Sequence, residues 1–188
     1  MSSSTRTSSK GGEAEAFRVD VGALRRHPGE RRDLSRRGEI ADLFVTASRV
    51  PEGAEVAVEG VLESVSGGIL VTATVTAPWE GECRRCLDRA RGELQAEVVE
   101  LVTDVPDPDT GYLVDGDVLD VRAMAHDACI LELPPAPLCS EGCRGLCPVC
   151  GVNRNVEECS CAPPADPRWA ALAALAGAEQ PVQVDRRN

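Results

Sequence analysis

Between residues 55 and 102 apolar and polar positions alternate, the two-residue period of half-buried strands. In Glu55 to Glu63, Val56, Val58 and Leu62 fall on one face and Glu55, Glu59 and Glu63 on the other. Gly67-Gly68 gives a hairpin signal. Ile69 to Ala77 then alternates again, with Val71, Ala73 and Val75 opposite Thr72, Thr74 and Thr76. Leu94, Ala96 and Val98 share a face in a third segment, Glu93 to Val102. Strands that follow one another with short connections predict an antiparallel meander, not a crossover unit, and they leave room for a partly closed barrel. Phe17 to Val21 adds a short strand and Gly22 to His27 a helical turn stopped by Pro28-Gly29. Glu30 to Arg37 is polar and basic, and Val105 to Gly116 reads as loop.

Helical period appears twice further on. Asp117 is placed to cap a helix running to about Leu131, with Val121, Met124, Ala128 and Leu131 on its apolar side and Pro134-Pro135 as its stop. Asp166-Pro167 predicts the start of a last helix, with Trp169, Leu172, Leu175 and Ala176 as its stripe. The fold class expected is α+β: an antiparallel sheet meander with flanking helices and a C-terminal cysteine-rich, zinc-binding segment. The expected divisions are a disordered tail at 1–15, an α+β body at 16–135, the cysteine-rich segment with its closing helix at 136–178, and a flexible tail at 179–188.

Composition changes this picture in two ways. Apolar residues make up 43% of the 188, but only Phe17, Phe44, Trp79, Tyr112 and Trp169 are aromatic. A core of Val, Leu, Ala and Ile buries less area per residue, so metal staples would add useful stability. The first sixteen residues lack the apolar run of a secretory signal, and no window nears the roughly 18 consecutive apolar residues of a membrane span. A cytoplasmic, reducing location is expected, where nine cysteines serve metal binding rather than disulfides.

Eight of those cysteines come in close pairs. Cys147-Pro148-Val149-Cys150-Gly151 is the most specific: two thiols separated by two residues, with Pro inside and Gly after, form a tight turn whose amides point at the sulfurs. Cys159-Ser160-Cys161 follows closely enough to complete a site of four. Cys83-Arg84-Arg85-Cys86 sits on the turn between the second and third central strands and needs a partner pair, for which Cys139 and Cys143 remain. One partition thus gives two four-thiolate sites. Another pairs Cys139 and Cys143 with Cys147 and Cys150 and leaves the other pairs unfilled. One or two structural Zn²⁺ ions are expected, because four thiolates leave no open position for water. Cys129 stands alone and reads as a small buried apolar residue.

Charge is uneven. Residues 1–38 carry nine Lys/Arg against five Asp/Glu, and the remainder eleven against twenty-six. Arg25, Arg26, Arg31, Arg32, Arg36 and Arg37 fall within thirteen residues, and Arg84 and Arg85 lie inside the first cysteine turn. These eight are the candidate phosphate contacts, although a solvated charged face is the commoner meaning of such a run.

The order of these features resembles the YceD family, the large ribosomal RNA subunit accumulation proteins. The resemblance rests on Cys83-Arg84-Arg85-Cys86-Leu87, on Asp127 to Pro134, on Pro137-Leu138-Cys139, on Cys143 to Asn153, on Cys159-Ser160-Cys161 and on Asp166-Pro167-Arg168-Trp169. It spans about residues 17–176. Arg154 departs from the Leu that often stands there. The resemblance implies a noncatalytic, cytoplasmic ribosome-assembly factor whose partner is precursor large-subunit ribosomal RNA or a ribosomal protein. It implies no membrane, no small-molecule substrate and no catalytic residue. Two other readings remain at this stage. A zinc-ribbon nucleic-acid-binding regulatory protein would usually carry a basic body, and this body is acidic. An enzyme would have to use His126-Asp127 with Cys129, at helical spacing.

Overall fold

A computed structural model of the chain describes residues 15–105, 108–109, 111–162 and 168. They fall into two compact units, Met1–Cys143 and Arg144–Asn188. The first tail and the closing helix expected from Asp166 lie outside the described residues, apart from the fringes at Glu15 and Arg168.

The first unit is sheet-rich. In chain order it runs β1 (Arg18–Asp20), α1 (Gly22–Arg25), β2 (Arg31–Gly38), β3 (Ser48–Arg49), β4 (Val56–Val65), β5 (Gly68–Glu82), β6 (Arg89–Val102), β7 (Val114–Asp115), β8 (Val118–Asp120) and α2 (Arg122–Glu132). The three central strands form where the alternation placed them. Gly67 adopts φ 98° in the β4–β5 turn, a left-handed backbone that glycine enters without a Cβ penalty. The large sheet is ordered β2-β4-β5 and antiparallel throughout, with β6 on the far side of β5. β6 pairs with β5 from Ile69 to Glu82, so β3, which pairs with Gly81 and Glu80, must extend the edge that β4 occupies. β1, β8 and β7 make a second, small sheet.

Barrel closure requires the outermost strands to pair. β2 and β6 lie at opposite ends of the large sheet and do not, so there is no closed barrel among the described residues. The inner face of the large sheet buries Leu34, Val58, Leu62, Val71, Val75, Leu94 and Val98 in one core with Phe17, Val21, Leu119 and Met124. The core is aliphatic, as the composition requires: Phe17 is its only fully buried aromatic side chain among the described residues.

Two helix expectations are corrected. Asp117 does not cap α2: it sits in the β7–β8 turn, where its carbonyl accepts the Val21 amide at 2.7 Å. Val118-Leu119-Asp120 is drawn into strand by pairing with β1, and Asp120 instead receives the Arg122 amide through its Oδ1 at 2.9 Å. Leu131 is 85% exposed, while Ala125 and Cys129 take the buried positions beside Met124. Leu133, held extended (ψ 125°) ahead of Pro134, ends the helix.

Candidate metal centres

The first centre begins at the tip of the β5–β6 hairpin. There the Cys83 amide donates to the Asp88 carbonyl at 2.8 Å and the Leu87 amide to the Cys83 carbonyl at 2.9 Å. This folds Cys83 and Cys86 toward one another and sets Leu87 at φ 64°. The segment after α2 is led to the same place by two hydrogen bonds. Ser48 Oγ donates to the Pro134 carbonyl at 2.7 Å, and the Arg84 amide donates to the Pro137 carbonyl at 3.0 Å. Cys139 and Cys143 thereby meet the hairpin. Cys83 Sγ lies 3.7 Å from Cys143 Sγ, and Cys86 Sγ 3.5 Å from Cys139 Sγ. Cys83, Cys86 and Cys143 are buried and Cys139 is exposed.

The second centre belongs wholly to the second unit. The Cys147 amide donates to the Val152 carbonyl at 2.8 Å and the Gly151 amide to the Cys147 carbonyl at 2.9 Å. Gly151 takes φ 76° at the position that Leu87 fills in the first turn. The Val149 amide faces Cys147 Sγ at 3.5 Å. Asn153 and Asn155 brace the surrounding loop: the Asn155 side chain receives the Arg144 amide at 2.7 Å, and Asn153 Oδ1 receives the Asn155 amide at 3.0 Å. Cys159 and Cys161 close the group; Cys150 and Cys161 are exposed.

In each group the four sulfurs lie within 4.8 Å of one another. A tetrahedron with metal–sulfur bonds of about 2.3 Å has edges of about 3.8 Å, so the donor sets fit a four-coordinate ion. Of the two partitions left open by spacing, the thiols are arranged as Cys83, Cys86, Cys139 and Cys143, and as Cys147, Cys150, Cys159 and Cys161. Electrostatics favour one thiolate in each turn. Burial opposes ionisation of Cys83, but the amides of Cys139, Cys86 and Arg85 outweigh it and lower the thiol to about 6. The amides of Cys150 and Val149 bring Cys147 to about 6. The neighbouring thiols move the other way: burial raises Cys86, and Cys150 beside it raises Cys161 to about 12. Proton sharing of this kind is what a bound cation replaces.

The candidate phosphate-contacting arginines do not form one free patch. β2, which periodicity did not reveal as a strand, splits them between two faces. Arg32 and Arg36 reach carbonyls of β1, at Asp20 and at Arg18 (3.1 Å) respectively. On the opposite face Arg31 pairs with Glu63 at 2.9 Å, and Arg37 with Glu55 (3.3 Å) and Glu59. Arg25 donates to the Gly116 carbonyl at 2.6 Å and pairs with Asp104 at 3.4 Å. Arg85 donates to the Cys143 carbonyl at 3.0 Å, bracing the first centre. The exposed side chains of Arg26 and Arg84 make no hydrogen bond or ion pair among the described residues.

His126 and Asp127 interact at 3.1 Å on the outside of α2, where Asp127 also accepts the Tyr112 hydroxyl at 2.8 Å. Cys129 points the other way, fully buried, and burial pushes its thiol up to about 11. The three do not converge on a site.

These features define an α+β protein with two tetrathiol groups that could each hold a metal ion. The chain belongs to the family described as large ribosomal RNA subunit accumulation protein YceD, which it matches over residues 71–176. It is similar to an uncharacterised protein of Mycobacterium tuberculosis, 37% identical over 175 residues that cover 88% of this chain and 84% of that one. An uncharacterised protein of Mycobacterium leprae is 34% identical over 172 residues, covering 86% and 78%. No solved structure matches. No helix among the described residues is long and apolar enough to cross a membrane.

Proposed function

We propose that this protein is a noncatalytic, cytoplasmic assembly factor for the large ribosomal subunit, acting in accumulation or processing of its RNA and folded around two structural zinc ions. Family membership carries the ribosomal part of this reading. The two tetrathiol groups carry the zinc part: eight thiolates make two closed tetrahedral sites, and a closed site stabilises rather than catalyses. The zinc would be held by Cys83, Cys86, Cys139 and Cys143 in the first unit and by Cys147, Cys150, Cys159 and Cys161 in the second.

The direct partner on this reading is precursor large-subunit RNA or a ribosomal protein. Arg26 and Arg84 are the arginines best placed for phosphate, because their guanidinium groups have no competing partner among the described residues. The expected result is co-sedimentation of the protein with precursor large subunits and two zinc ions per purified chain by elemental analysis. Recovery only as free protein at low salt would sink the assembly role. An iron–sulfur absorption spectrum, or zinc absent from protein purified without chelators, would sink the metal assignment.

A further inference from the structure

We propose that the solvent face of the large sheet and the open edge of β6 dock an extended basic segment of a protein partner. The face is the one opposite the core. Its cross-strand rows follow from the registers: Val61, Thr72 and Val99 lie side by side, and next to them Glu63, Leu70 and Leu101. Val99 is 64% and Leu101 52% exposed. Among the described residues β6 pairs only with β5, so its far edge presents a row of backbone donors and acceptors along a strand of 14 residues. An edge of this length next to exposed valine and leucine is a template for strand addition.

Charge selects the occupant. Along the exposed side of β6 the order is Arg89, Arg91, Glu93, Gln95, Glu97, Val99, Leu101, with Arg89 held by Glu80. Glu55, Glu59 and Glu63 of the same face are engaged by Arg37 and Arg31. The carboxylates of Glu93 and Glu97 make no ion pair or hydrogen bond among the described residues. A nucleic acid backbone would meet these two carboxylates and be repelled. A second copy of the chain fits poorly too. Antiparallel β6 pairing centred on Gln95 sets Glu93 opposite Glu97 of the copy, a like-charge pair that destabilises a sheet. Centring on Leu94, which sets Arg91 opposite Glu97, puts Val99 opposite Arg89 and leaves Leu101 beyond the end of the copy's strand. Centring on Val99 sets Glu97 opposite Leu101, and both chains carry a net charge of −11. An added antiparallel strand with apolar residues at i and i+2 and Lys or Arg at i+4 and i+8 matches Leu101, Val99, Glu97 and Glu93 in turn. The inference depends neither on bound metal nor on any arginine touching RNA.

The test uses the full-length, metal-replete protein and two synthetic peptides. One carries Val at i and i+2, Lys at i+4 and i+8, and Thr elsewhere; the other has Glu in place of Lys. The Lys peptide is expected to bind, to slow amide hydrogen exchange across residues 93–101, and to bind at least tenfold more tightly than the Glu peptide. Glu93→Lys with Glu97→Lys should reverse that preference, a readout that a misfolded chain would not give. Val99→Thr with Leu101→Thr, which places a strand-favouring β-branched residue at each exposed position, should abolish binding of both. Several outcomes would overturn the proposal. They are no binding at about 1 mM peptide, equal binding of the two peptides, protection outside β6, a dimer that V99T/L101T dissociates, or displacement of the Lys peptide by an RNA oligonucleotide that itself protects β6. Peptide failure alongside intact co-sedimentation with precursor subunits would remove this inference and leave the ribosomal reading standing.

Discussion

At the tip of the β5–β6 hairpin an amide four residues on returns to the Cys83 carbonyl, and the Cys83 amide reaches a carbonyl five residues on; the turn at Cys147 repeats both bonds at the same lengths. The two turns share a backbone solution and differ in what surrounds it. The first draws its second pair of thiols from 53 and 60 residues away and buries three of the four. The second gathers all four within fifteen residues and leaves most of them accessible. A cross-link between distant segments removes more unfolded-chain entropy than a local one, and a buried thiol left without its partners costs more than an exposed one. The first centre should therefore govern the stability of its unit, and the second should govern only its own loop.

The largest expected effect breaks that comparison at its stronger end. Cys83→Ser should remove one zinc and most of the stabilisation that site supplies, on the order of 10 kcal/mol for a structural site, so the first unit loses cooperative unfolding in a calorimetric scan. Cys150→Ser should also remove one zinc but leave the transition of the first unit in place; loss of both transitions would mean the centres are equivalent. A chromogenic chelator should then extract metal in two phases, with the fast phase absent from Cys150→Ser. A single phase in the parent protein would contradict the difference in accessibility.

Acid should sharpen the similarity of the two turns. In metal-free protein Cys83 and Cys147 both titrate at about 6, below the unfolded thiol at about 8.5. The folded values are depressed, so the stabilisation is complete above about pH 8.5 and declines to nothing as pH falls through 6. Thermal midpoints of chelator-treated protein across that window should fall on acidification; a flat profile would count against the amide–thiolate bonds. The smallest effect exchanges the fifth residue of each turn. Gly151→Leu should cost about 1–2 kcal/mol, because a side chain at positive φ meets the backbone. Leu87→Gly should gain about 0.5 kcal/mol after the extra entropy of glycine is subtracted. Denaturant midpoints measure both.

The sequence shows some of this directly. β4, β5 and β6 are readable because each buries one face and wets the other, which writes a period of two into the residues. β2 is not, since Leu34 is its only buried position. Its other inner-face residues include Arg32 and Arg36, which lie at the sheet margin and satisfy β1 carbonyls instead of packing. β3, β7 and β8 have two or three residues each, too few to show any period. The eight thiols are legible from their spacing. Their grouping is not, because it depends on Ser48 and the Arg84 amide steering the 134–143 segment. The likeness of the two turns was hidden by Leu87, which occupies a backbone conformation that glycine usually signals.

The hairpin that carries Cys83 and Cys86 has a temporal consequence. Its pairing is local, so it can form as soon as β6 has been made. Cys139 is then still 37 residues from being synthesised, an interval of roughly 2–7 s at translation speeds of about 5–20 residues per second. Throughout that time the nascent chain presents a preformed two-thiol claw with nothing opposite it. The first centre is thus assembled as a half-site that waits, whereas the second is translated in one short burst and closes on itself.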